Sequence, residues 1–293
     1  MRVAASFEWG AFVSALPFTV LAVLVVLGGT FLVALRVHKH AVVDIAWGLG
    51  FAAISLVALA VAAPTPPSVF TTYEHPDGTR AWLATVLTVV WGLRLAGHIG
   101  LRSRGHGEDP RYVELMAKAP GNPNAYAFRT IYPTQGAVMW FVSLPVQVAV
   151  FETDPLGPLG WVGVALWVVG FGFESVGDLQ LTRFRNDPAS RGRVLDTGLW
   201  RYTRHPNYFG DACVWWGLSL LAFSSWPGIL TILSPLLMTW LLAKGTGKPL
   251  LEKDMSARRP GYADYVRRTS GFVPLPPKRF TTAQPTTTPE ETP

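Results

Sequence analysis

Two pairs of polar residues, each spaced by one helical turn, face one another along the chain. Glu174 and Asp178 close one apolar run, and Asn207 and Asp211 open the next. Residues four apart share a helix face, so each pair presents its side chains in one direction. Between the pairs lie Arg183, Arg185, Arg191, Arg193, Arg201 and Arg204. Carboxylates and amides suit ribose hydroxyls and adenine nitrogens, whereas guanidinium groups take phosphate oxygens in a fork. A carboxylate at membrane depth is expensive unless paired, so acids at the ends of apolar runs need a reason. A structural network tying helix ends together is the plain alternative. The number of polar groups exceeds what packing needs, and a binding site is the stronger reading.

Further candidates lie in the first half. Asp44 stands one turn into the apolar run VVDIAWGLGF, with His38 and His40 just before it. Two histidines on a short link lack the further ligands a metal needs, and no metal site is expected. Arg94 and His98 share a face in WGLRLAGHIG, with Asp44, Glu108 and Asp109 as possible partners for Arg94. Tyr112 follows in GEDPRY, and Tyr132 in AFRTIYPTQG sits at an expected membrane boundary. A tyrosine there is either an interfacial anchor or a donor to a substrate carbonyl. Near the C-terminus, Glu252 precedes RRPGYADYVRRTSGFVP, whose Tyr262 and Tyr265 are placed to dock the tail over the site. Gly245–Lys248 is not a phosphate-binding P-loop, and no GxGxxG opens a strand–helix unit. A nucleotide must therefore be held without a Rossmann domain. The one cysteine, Cys213, excludes a disulfide framework and a cysteine zinc cluster.

The elements that carry these residues are membrane helices. Of 293 residues 49% are hydrophobic and only 15% charged, with a mean hydropathy of +0.28; soluble domains are about 25% charged. Apolar runs of spanning length define an all-α bundle of about seven transmembrane helices: 11–35, 41–63, 81–97, 134–151, 159–178, 208–223 and 227–243. The first run is too long for a signal-peptide core. With the N-terminus outside and the C-terminus cytoplasmic, 22 of the 25 basic residues fall on the inner side, as the positive-inside rule requires. The same bias accounts for the net charge of +6 without nucleic acid. Residues 1–279 read as one membrane domain, with 159–279 its cofactor-binding region, and 280–293, rich in Thr and Pro, as a disordered tail.

GLWRYTRHPNYFGDACVWWG followed by RRPGYADYVRRTSGFVP resembles the steroid 5-alpha-reductase-like membrane family, in its uncharacterised bacterial branch. The same element is similar to one in isoprenylcysteine carboxyl methyltransferases and related phospholipid methyltransferases. VDIAWGLGF and GEDPRY extend the resemblance over the first half. The resemblance implies NADPH held on the cytoplasmic side of a plasma-membrane bundle. Glu174 and Asp178 then match residues at the ribose and adenine, Arg185 and Arg193 match phosphate contacts, and Asn207 and Asp211 match an NF-x-G-E element. Arg183, Tyr202, Arg204, His205, Tyr208 and Glu252 complete the implied cofactor site. The reductases also hold an enone carbonyl with an acid and a phenol. Asp44 stands for the acid and Tyr132 or Tyr112 for the phenol.

The expected activity is NADPH-dependent reduction of an activated C=C bond in a hydrophobic steroid- or lipid-like enone. One alternative is a membrane methyltransferase using S-adenosylmethionine, which has no phosphate for the arginines to hold. Another is a non-catalytic membrane or transport protein with the acids as ion sites, though the chain lacks an internal repeat. No obligate protein partner is evident.

Overall fold

The computed structural model describes residues 7–62, 78–245, 247–252, 255 and 259–278. Helices α1 (Trp9–Val37), α2 (Val43–Ala62), α3 (Thr79–Ser103), α4 (Pro110–Met116), α5 (Pro123–Val142), α6 (Leu144–Val150), α7 (Pro158–Asn186), α8 (Pro206–Ala222), α9 (Trp226–Leu230), α10 (Leu233–Ala243) and α11 (Lys248–Glu252) follow in order, and Tyr262–Arg268 forms a further short helix. Among the described residues there is no strand, only isolated bridges, so the all-α expectation holds. The expected tail at 280–293 lies outside the described residues.

Among the described residues, five segments are long and apolar enough to cross a membrane: Trp9–Val37, His40–Ala62, Thr79–Ser103, Pro158–Asn186 and Trp226–Ala243. Apolar side chains such as Leu24, Val25 and Leu32 stand exposed on α1, as a lipid-facing helix requires. The chain is an integral membrane protein. Two expected spans take other forms. The run 134–151 is divided between α5 and α6 at Ser143, where Pro145 stands in the first turn of α6. The run 208–223 is the 17-residue α8, opened by Pro206 as the sequence indicates.

The chain divides into two compact units. The first comprises residues up to 171 together with 212–241, and the second comprises 172–211 and the chain from 242 onward. In the first unit α1 buries Ala15, Thr19, Val23, Leu27 and Ala34 as a stripe of helical period, and the Trp140 indole donates to the Thr19 hydroxyl at 3.1 Å. Phe51, Trp91 and Trp215 are wholly buried, with ring centroids 4.4 Å apart for Phe51–Trp215 and 5.4 Å for Trp91–Trp215. At Gly217 a Cβ would lie 2.6 Å from the Gly163 carbonyl oxygen. The two glycines therefore let α8 pack directly against the first half of α7.

In the first unit α2 and α3 approach backbone to backbone at a pair of glycines. A Cβ on Gly48 would come within 2.0 Å of the Gly92 carbonyl oxygen, and one on Gly92 within 2.4 Å of that of Gly48. Neither neighbour is a flexible side chain, so the helices must separate. Gly48→Ala is expected to destabilise the protein by about 1–3 kcal/mol, read as a lower apparent Tm in detergent. Gly97→Ala, on α3 with nothing within 4 Å of its Cβ, is the matched control and should leave Tm unchanged or raise it slightly.

Candidate functional site

In the second unit, Gly177 sets the distance between the second half of α7 and the start of α8. A Cβ there would meet Pro206 Cγ at 3.1 Å and the Asn207 nitrogen at 3.2 Å, tighter than ordinary contact. That approach lets the Asn207 amide donate to Asp178 Oδ1 at 3.1 Å. The Asn207 side-chain oxygen accepts from the Tyr208 backbone N–H at 3.1 Å. Glu174 and Asp178 are 2% and 4% exposed and Asp211 8%. Of the two i,i+4 pairs read from the sequence, Glu174, Asp178 and Asp211 are buried and Asn207 is half-buried, all in one unit, and Asp178 and Asn207 are joined. Arg185 and Arg193 are exposed, and the Arg193 carbonyl accepts from the Arg259 guanidinium. Tyr202 is exposed, and its carbonyl accepts from the Leu275 N–H. Arg183 lines an open cleft with Gln180 and Phe184.

A second cluster, also in this unit, gathers Arg204, His205 and Glu252. Arg204 donates from Nε to Glu252 Oε1 at 2.8 Å, from Nη2 to Oε2 at 3.3 Å, and from Nη1 to the Val266 and Thr269 carbonyls at 3.1 and 2.7 Å. His205 Nε2 donates to Glu252 Oε1 at 2.9 Å, and its ring stacks on Tyr208 at 5.4 Å. Burial pushes the His205 pKa down, which favours the neutral imidazole with its proton on Nε2. Burial alone raises the Glu252 pKa, but the bonds from His205 and Arg204 outweigh it and hold it at about 2. The tail is fixed to the same stretch: the Tyr265 hydroxyl donates to the Trp200 carbonyl at 2.6 Å, and Thr203 Oγ1 to that of Phe272 at 2.8 Å. Tyr262 is buried beside them, and its hydroxyl pKa rises to about 12, first through burial and then through the Glu252 charge.

The first unit holds the acid and the phenols. The Tyr112 hydroxyl donates to Asp44 Oδ1 at 2.6 Å, and Arg111 Nη2 donates to Asp44 Oδ2 at 3.0 Å. Arg111 is gripped in turn by Asp109 at 3.0 Å. The acid of α2 therefore meets Tyr112. Tyr132 lies instead 3.3 Å from His40 Nδ1, with Asn124 on the other imidazole nitrogen at 3.0 Å. Glu108 accepts from the Ala41 N–H at 2.8 Å and also from that of His40, closing the start of α2. The GEDPRY element is thus a clasp: Glu108 caps one helix, Asp109 caps α4, and Arg111 and Tyr112 reach Asp44. Sequence reading missed Arg111 as a partner and missed Asn124 altogether. The mixed signs of the loop were the only available signal for the first.

A helical membrane protein with buried acids at helix ends and an arginine-rich connection is the class these observations define. The chain belongs to the family described as a protein of unknown function, DUF1295, whose pattern matches residues 30–269. That family is of the steroid 5-alpha-reductase-like type, so the resemblance holds at the level of the family. An uncharacterised protein of the yeast Schizosaccharomyces pombe is 25% identical over 230 residues, 67% of this chain. The matched stretch covers 63% of that relative's own length. No solved structure matches the chain.

Proposed function

We propose that the protein is an NADPH-dependent reductase of an activated C=C bond in a hydrophobic enone. The observation that carries this reading is the burial of Glu174, Asp178 and Asp211 in one small unit, with Asn207 bonded to Asp178. Hydroxyl-rich ribose is the ligand such an acceptor set suits, and the exposed Arg185 and Arg193 supply guanidinium groups for phosphates. Arg204 is assigned a different role. Four of its five N–H groups are held by the protein, so it positions the tail and leaves phosphate to the other arginines. In topology, α5 with α6 and the short α8 add to the five long segments to give seven crossings, with the N-terminus outside and the cofactor residues cytoplasmic.

NADPH, held by Asp178, Asn207, Arg185 and Arg193, would supply hydride-transfer chemistry, with hydride taken at the β-carbon of the enone and a proton at the α-carbon. Tyr112 is the proposed donor to the substrate carbonyl oxygen, where negative charge develops. The phenol has one hydrogen, and Asp44 takes it at 2.6 Å. A proton on Asp44 reverses that bond: the carboxyl donates to the phenolic oxygen, and the phenol turns its hydrogen to the carbonyl. Arg111 positions Asp44 for this exchange.

Thermal melting of the detergent-purified chain with NADPH, NADH and S-adenosylmethionine tests the cofactor. NADPH at a hundredfold excess over its Kd should raise the apparent Tm by about 5 °C, and Arg185→Ala should abolish the shift. A shift with S-adenosylmethionine alone would replace the reductase by the methyltransferase reading. Oxidation of NADPH on addition of an enone lipid, lost in Tyr112→Phe, then tests the chemistry.

A further inference from the structure

On the second unit, the last two turns of α7 line a cleft of about 420 Å³ with the loop that follows them. Gln180, Arg183 and Phe184 supply the helical wall, and Asp187, just past the helix, lines the cleft with Leu195 and Thr197. Gln180, Arg183 and Phe184, spaced by three and four, share one helix face. It is not the face of the buried acids. At about 100° per residue, Arg183 stands roughly 140° around α7 from Asp178, whereas Arg185 returns to within about 20° of it. Neither Glu174, Asp178, Asn207 nor Asp211 lines this cleft.

The polar groups of the cleft are unevenly satisfied. Asp187 is engaged on both oxygens: Oδ1 accepts from the Ala189 N–H and Oδ2 from the Ser190 hydroxyl, each at 3.0 Å. Gln180 Oε1 accepts from the Leu199 N–H at 3.0 Å. The Gln180 amide hydrogens, the Arg183 guanidinium and the Thr197 hydroxyl have no partner among the described residues. What is left over is a set of donors around one cation, walled by Phe184 and Leu195. With both Asp187 oxygens already engaged, the excess of unpartnered donors selects an anion, and a guanidinium fork selects phosphate over a point charge. The position, at the end of a membrane-spanning segment, brings that fork to headgroup depth, where arginine meets anionic lipid.

We infer that this cleft is a phosphate-binding site on the far side of α7 from the cofactor residues, with Arg183 as its anchor and Gln180 and Thr197 as supporting donors. A phospholipid headgroup and a soluble phosphate share this chemistry. The inference stands apart from the reductase reading and places Arg183 outside the cofactor set.

The test is thermal melting of the full chain in a phosphate-free, uncharged detergent with three probes: inorganic phosphate, dihexanoyl phosphatidylglycerol, and dihexanoylglycerol, which has the same tails without phosphate. At least one phosphate-bearing probe is expected to raise the apparent Tm by about 2 °C or more. The shift should vanish in Arg183→Ala and Arg183→Gln and persist in Arg185→Ala. Phosphatidylglycerol acting alone identifies a lipid, and inorganic phosphate acting equally well identifies a soluble ligand. A shift that survives both Arg183 variants, one matched by dihexanoylglycerol, or none with any probe would overturn the site. Loss of an NADPH shift in Arg183→Ala would also overturn it, by returning Arg183 to the cofactor. If NADPH shifts nothing in the unaltered protein, the reductase reading falls while the phosphate arms still decide the cleft. Arg183 is exposed, so both variants should fold.

Discussion

Arg204→Ala is expected to release the C-terminal segment of the second unit and to destabilise the protein by about 3–5 kcal/mol, the range for breaking a buried pair by removing one partner. The change strips Glu252 of a two-point contact and leaves the Val266 and Thr269 carbonyls without their donor. Both side chains of the ion pair are largely shielded from water, so screening does little to soften the loss. The acid side of the pH profile should change as well. Glu252 is held below its ordinary value, at about 2, so its stabilisation is present above the usual carboxylate pKa and is lost as pH falls toward 2. His205, also depressed, contributes above the ordinary imidazole value and loses that contribution on acidification. The two act in the same direction, so the contribution of this cluster to the stability of the unaltered protein should fall on acidification below about pH 6. In Arg204→Ala the Glu252 part of that slope should flatten. Apparent Tm from pH 8 to pH 4 and trypsin cleavage beyond Lys248 read both effects. An unchanged Tm and an unchanged cleavage pattern would show that the segment is held by Tyr265 and Thr203 without Arg204.

Nothing near Arg204 in sequence announces this role. Glu252 is 48 residues away, and an arginine on a loop that the sequence reads as cytoplasmic carries a ready topological explanation. What sequence does encode well is local. The apolar runs mark α1, α2, α3 and α7, Pro206 marks the first turn of α8, and four-residue spacing puts Glu174 with Asp178 and Asn207 with Asp211. Hydropathy fails where a helix is polar at its start. Helix α5 begins at Pro123, capped by Asn122, and runs through AYAFRTIY before its apolar part, and Pro133 does not stop it. A hydropathy window sees only the second half. Choices between distant partners are hidden for a related reason: Asp44 is 68 residues from Tyr112, and no local pattern prefers that phenol to Tyr132. The far side of α7 was in principle legible, since 180, 183 and 184 repeat at helical spacing, but arginines at 183 and 185 look interchangeable until each is turned about the helix axis.

Arg80→Met should produce a loss of similar size in the first unit, with the opposite dependence on pH. Arg80, in the first turn of α3, pairs with Glu152 at 2.6 Å, and the two side chains are 2% and 0% exposed. Arg80 also donates to the Leu221, Asp154 and Pro155 carbonyls at 2.5, 3.1 and 2.9 Å, while Ser224 and Ser225 donate to Glu152. One guanidinium thus joins the start of α3, the turn after α6 and the end of α8. Removing it leaves a buried carboxylate without its counter-charge, at about 3–5 kcal/mol. Burial already pushes the Glu152 pKa up against the serine hydrogen bonds and the Arg80 charge, and losing that charge raises it further. A carboxyl raised in the folded state contributes stability below its ordinary pKa and loses it as pH rises through the shifted value. The deficit of Arg80→Met should therefore be largest near pH 8 and shrink on acidification, as Glu152 takes up a proton and ceases to be a buried charge. Adding Glu152→Gln to Arg80→Met removes the charge and keeps an acceptor for the serines. That double variant should recover part of the loss at pH 8 and show little pH dependence of its own. Melting the three proteins across pH 5–8 decides the matter: a deficit that is flat with pH would mean that the lost carbonyl hydrogen bonds, and not the stranded carboxylate, set the cost.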